Sequence, residues 1–147
     1  MRKSERPRVV AYHEAGHAVI ARAFGLGLPY ITILRVDDET LAAAPAKSAT
    51  HLARDADVAA QLSAIEKDAI VCLAGPTAQL RHRPVETQAG WDTDLESVNS
   101  FIVRAVLLEA GTVIPESGLS VTLSEDEIDR FRLRFTKLRD QTKALVE

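Results

Sequence analysis

The sequence predicts a mainly α fold, α+β in detail, with one short edge strand or small hairpin against a set of helices. Three observations predict it. Apolar residues recur at helical spacing over two long stretches, at 8–24 and from about 57 to 80. Two Ser/Thr-x-x-Glu boxes, Thr93-Asp94-Leu95-Glu96 and Ser124-Glu125-Asp126-Glu127, mark further helix starts. A single run, 30–36, has the β-branched and aromatic content of a strand and ends at the turn signal Asp37-Asp38.

Each element follows from local chemistry. The first helix, 8–24, has Val9, Val10, Tyr12, Val19, Ile20, Ala23 and Phe24 on its apolar face. Pro7 suits its start, and Gly25 suits the left-handed residue just past its end. Gly16 inside it costs roughly 1 kcal/mol of helix propensity relative to alanine, a cost that close approach by another backbone explains. The strand at 30–36 either aligns an extended substrate or only covers the core. Residues 39–54 are Ala-, Ser- and Thr-rich with Pro45 and read as a loop, with room for a second short strand. A helix from about 57 carries Val58, Leu62, Ile65, Ala69, Val71, Cys72 and Leu73, and Pro76 is expected to kink or interrupt it before about 80. Residues 81–89 read as a loop. The Thr93 box opens a helix to about 110 that stops at Gly111, and the Ser124 box opens a C-terminal helix to about 145.

Composition narrows the function class. The 147 residues, 46% hydrophobic and 27% charged, suit one globular domain over 1–147, with 1–8 and about 112–124 loosely ordered. A net charge of -3 argues against a nucleic-acid binder held by phosphate contacts. No apolar run approaches the eighteen or so residues of a membrane span, and no signal peptide is expected because His13 and Glu14 fall where its hydrophobic region would lie. Cys72, the single cysteine, sits in an apolar run and reads as a buried thiol. A cytoplasmic protein is expected.

The chemistry is concentrated in His13-Glu14-Ala15-Gly16-His17, an H-E-x-x-H pattern. Residues four apart share one helix face, so two imidazoles so placed can grip one metal ion. Glu14 lies one step around the helix, beside the ion, where a carboxylate can accept a proton from metal-activated water. Zn²⁺ is the expected cofactor, with His13 and His17 as ligands and Glu14 as general base.

A catalytic zinc needs a third protein ligand and an open fourth position. A histidine six residues beyond His17 would mark one large class, but Ala23 stands there, which excludes it. The candidates are His51, His82, Glu86, Asp92, Asp94, Glu96 and Glu109. Asp94 is attractive locally as the first residue of a capped helix, although a carboxylate there also serves simply to complement the helix dipole.

Val10-Ala11-Tyr12-His13-Glu14-Ala15-Gly16-His17-Ala18-Val19 resembles the opening of the peptidase domain of the membrane-anchored, ATP-dependent AAA zinc proteases, the FtsH type of peptidase family M41. Leu73-Ala74-Gly75-Pro76-Thr77-Ala78-Gln79 resembles a degraded form of that family's Leu-Gly-Gly-Arg-Ala-Ala-Glu segment. Gly90-Trp91-Asp92-Thr93-Asp94-Leu95 resembles its Gly-Ala-Ser-Asn-Asp-Leu/Ile segment. The resemblance covers about 9–111 and implies a zincin-like helical peptidase domain in which Asp94 is the third zinc ligand. The family's glutamate pair near the zinc is replaced by Gln79-Leu80, which bears on metal affinity and histidine orientation. No G-x-x-x-x-G-K-[ST] loop or membrane anchor is found, and the family's long C-terminal helical region is mostly missing, so a stand-alone domain without the ATPase is expected.

The expected function is a zinc metalloendopeptidase that hydrolyses flexible or unfolded polypeptides, supplied by a separate ATPase or acting alone or as a homo-oligomer. The alternative is a zinc-binding regulatory or interaction module that has lost turnover; a helical adaptor without metal is the third reading.

Overall fold

A computed structural model describes residues 6–28, 31, 47–82, 91–112 and 121–147. Five helices run in order: α1 (Arg6–Ala23), α2 (Ala49–Leu52), α3 (Val58–His82), α4 (Trp91–Glu109) and α5 (Glu125–Val146). The mainly α reading holds, and there is no strand among the described residues. The expected strand at 30–36 and its hairpin lie outside the described residues, apart from Ile31.

Helix ends form where their capping chemistry stands. Gly25 (φ 70°) ends α1, with its N–H on the Arg22 carbonyl at 3.0 Å and the Leu26 N–H on the Ala21 carbonyl at 2.9 Å. Gly111 (φ 68°) ends α4 in the same way, its N–H on Leu108 and the Thr112 N–H on Leu107. Both pairs of bonds satisfy carbonyls that the helix itself cannot, and a left-handed residue makes the turn possible. Asp57 starts α3 by accepting the Ala60 amide at 2.8 Å. Ser124 and Glu127 form the expected reciprocal capping box at α5.

Four expectations are corrected. α1 begins at Arg6, so 6–8 belong to the helix and not to a loose tail. α3 runs through Pro76 without interruption to His82. Proline removes only one ladder bond, and here the Thr77 hydroxyl makes a local contact to the Leu73 carbonyl at 2.7 Å while α3 is packed on several sides. α4 begins at Trp91, ahead of the predicted Thr93 cap, so Asp94 is its fourth residue and Thr93 gives its carbonyl to the Ser97 hydroxyl. Within the predicted loop 39–54, Ser48 caps the short helix α2.

α3 is the central element and touches all four others. Ile20, Ile70, Leu73, Val98, Ile102, Val106 and Leu138 bring α1, α3, α4 and α5 into one core. At Gly16 α1 packs tightly on α3: an added Cβ would stand 2.3 Å from the Ala74 carbonyl oxygen. The backbone approach that its helix-propensity cost implied is therefore present. Arg134 of α5 bonds Glu66 of α3 at 2.7 Å and also Glu109 of α4. No helix among the described residues is long and apolar enough to cross a membrane.

Candidate metal centre

α1 presents His13 and His17 one turn apart toward α3, and α4 brings Asp94 to them from its fourth position. Asp94 Oδ2 lies 2.9 Å from His13 Nε2 and 3.4 Å from His17 Nε2, and the two Nε2 atoms are 3.1 Å apart. Gly75 forms the floor. A Cβ there would stand 2.3 Å from His17 Nε2 and 2.9 Å from His13 Nε2, so only glycine leaves these nitrogens their place.

The hydrogens of both rings are fixed from behind. His17 Nδ1 stands 2.7 Å from the Val71 carbonyl, which can only accept, so Nδ1 carries the hydrogen. His13 Nδ1 stands 3.1 Å from Gln79 Oε1. The indole N–H of Trp91, which can only donate, reaches the same oxygen at 2.9 Å and so assigns it as the amide acceptor. His13 therefore also donates through Nδ1. In the neutral rings both Nε2 atoms are bare lone pairs, and their approach is not a hydrogen bond between them.

Asp94 Oδ2 is buried and receives no hydrogen bond, although two ring nitrogens stand beside it. Three electron-pair donors thus converge with no hydrogen between them. Atoms bound at about 2.0–2.1 Å around a tetrahedral zinc stand roughly 3.3 Å apart, and the three separations here lie around that value. One carboxylate with two imidazoles, each ring held through its other nitrogen, is a donor set that fits zinc.

The same groups set the electrostatics of the metal-free centre. Burial pushes Asp94 up, but the His13 and His17 contacts outweigh it, and its pKa lies below the ordinary carboxylate value. Burial pulls His17 down, but the Asp94 carboxylate against the ring, the Val71 carbonyl and Glu14 outweigh it and raise its pKa, because each favours the protonated ring of the metal-free chain. Glu14 is buried one residue from His13 and is not among the converging ligand atoms. Burial raises its pKa, against the lowering by His17 and His13, and Asp94 adds to the rise.

The other candidate ligands lie elsewhere. His82 stacks on Tyr12, Glu109 is held by Arg134, and His51, Asp92 and Glu96 are exposed away from the centre. Glu86 lies outside the described residues. Cys72 is not among the converging ligand atoms, and it is half-buried where a buried thiol was expected; burial first, then Asp94 and Asp68, push its thiol up to about 12, so it stays protonated.

Val71, Trp91 and the acceptor role of Gln79 did not emerge from sequence reasoning. One signal was available for Trp91, which stands three residues before Asp94 on a helix and so shares its face. The chain matches no protein-family model, no curated protein and no solved structure.

Proposed function

We propose that this chain is a zinc metallopeptidase of the FtsH-type M41 kind, with a zincin-like arrangement, that cleaves flexible or unfolded polypeptides in the cytoplasm. The observation that carries the reading is the convergence of His13 Nε2, His17 Nε2 and Asp94 Oδ2 with no hydrogen between them and Glu14 beside them. His13, His17 and Asp94 would hold the ion. When bound, zinc supplies a Lewis acid that polarises a peptide carbonyl and makes a water acidic near neutral pH.

The chain's own residues do the rest. Glu14 takes the proton of the attacking water on its carboxylate and passes it to the leaving amine. Its burial raises its proton affinity, against the lowering by His17 and His13. Gln79 and Val71 hold both rings by their Nδ1 hydrogens, so each imidazole faces the ion as a lone pair. Substrates are polypeptides that reach the centre extended, delivered by a separate ATPase or already loosened, with the chain acting alone or as a homo-oligomer.

A second reading, a zinc-binding regulatory or interaction module without turnover, draws on Gln79. This residue orients His13 without the negative charge that a glutamate would add. Cleavage of a flexible fluorogenic peptide by the zinc-loaded protein decides between them. The peptidase reading predicts cleavage that a chelator abolishes and that Glu14→Gln lowers by about 10²–10⁴ while zinc is retained. Zinc without any cleavage supports the module, and Glu14→Gln cleaving as fast as wild type overturns the mechanism.

A further inference from the structure

A second polar site lies between α2 and α4, apart from the His–His–Asp centre. Asp94 and Arg104 are ten residues apart on α4, roughly 15 Å along its axis. Ser48, Thr50, His51, Arg54, Phe101 and Arg104 line a cleft there of about 230 Å³. Two of its polar atoms, Thr50 Oγ1 and Arg104 Nε, are buried with no hydrogen-bond partner. Thr50 as a whole is only 8% exposed. A native fold leaves few such groups unpaired, and a bound ion or ligand is one of the recognised reasons for them.

The charges point the same way. Among the described residues neither Arg54 nor Arg104 has a carboxylate partner. Two unpaired guanidinium groups in one cleft repel each other, and a bound anion would offset that repulsion. Asp68, the acid that holds α2, is already occupied. Its carboxylate accepts from the Ser48 hydroxyl at 2.6 Å and from the Ala49 and Thr50 amides at 2.7 and 2.8 Å. Ser48 has thereby spent its hydroxyl hydrogen, which leaves Thr50, His51 and the two arginines as donors to the cleft.

We propose that the α2–α4 cleft binds a phosphate group, held by Arg104, Arg54, His51 and the Thr50 hydroxyl. Two fork-shaped guanidinium groups with a hydroxyl donor match several oxygens of a dianion, whereas one carboxylate would occupy only one fork. The volume, roughly eight waters, admits a phosphate and a short organic substituent against Phe101. The ligand is therefore inorganic phosphate or a phosphate monoester.

The test is titration of the full chain with inorganic phosphate, a phosphoserine peptide and acetate, followed by calorimetry and by the Arg104 Nε–H resonance. Phosphate and the phosphopeptide are expected to shift that resonance and to bind at least about tenfold more tightly than acetate. Tighter binding of the phosphopeptide identifies a monoester as the source; equal binding identifies the free ion. Arg54→Ala and Arg104→Met should each weaken phosphate about tenfold or more, and Thr50→Val by less. Arg54 is exposed, so Arg54→Ala decides the matter if Arg104→Met does not fold. The proposal is overturned if phosphate leaves the Arg104 resonance unmoved, if acetate binds as well, or if folded Arg54→Ala binds phosphate like wild type.

Discussion

Asp68 and Asp94 both carry a carboxylate oxygen into the interior of the bundle, and their surroundings are opposite. Asp68 accepts three hydrogen bonds, from one hydroxyl and two backbone amides, and with them fixes α2 against α3. Asp94 Oδ2 receives none, because the two imidazoles beside it present lone pairs and send their hydrogens to Val71 and Gln79. A buried charge needs compensation from donors or from a cation. The first carboxylate is completed by the protein alone. The second has only the two imidazoles beside it, and the proposed metal ion would complete it.

Asp94→Ala should weaken zinc by more than about a hundredfold, beyond what loss of an orienting partner costs, with little change in the fold of the metal-free chain. Isothermal competition against a chelator reads this. Asp68→Asn should leave zinc affinity unchanged but lower unfolding stability by about 2–3 kcal/mol, measured by urea denaturation, because charge-assisted bonds to α2 are lost. Gln79→Leu should weaken zinc by about tenfold to a hundredfold in the same competition assay, since it strands the His13 and Trp91 donors together.

The smallest effect is one of pH on the metal-free protein. Asp94 is lowered, so its contribution to stability is present above the ordinary carboxylate value and is lost as pH falls through its folded value. His17 is raised, so its contribution is present below about 6.5 and is lost as pH rises through its folded value. Thermal melts of the metal-free chain should therefore show this contribution at its largest between about pH 4 and 6.5. Asp94→Ala should flatten the profile on both sides, and zinc should remove the alkaline loss.

Much of the helical frame was legible because its signals are local. Gly25, Gly111 and the Ser124 box each act within one helical turn, and Gly16 declared a close approach through its propensity cost. His13, Glu14 and His17 were legible for the same reason, as neighbours on one helix face. Asp94 was the expected third ligand, though it sits at the fourth position of α4 and not at a Thr93-capped start. The helix began earlier than the box suggested, which shows that a capping motif allows a start without enforcing one.

What the sequence did not disclose depends on distant partners. Val71 and Gln79 hold rings that are 54 and 66 residues away in the chain. Asp68 lies within a helix pattern, and its partners come from a segment that carries almost no periodic signal. Pro76 illustrates the converse, a strong local breaker overridden by packing around α3.

The central claim is that His13, His17 and Asp94 hold a zinc ion. It is tested most directly by elemental analysis of the purified wild type, Asp94→Ala and Asp68→Asn after dialysis against trace zinc. The account predicts about one zinc per chain in wild type and in Asp68→Asn, and almost none in Asp94→Ala. Wild type without zinc, or Asp94→Ala retaining as much as wild type, would contradict it.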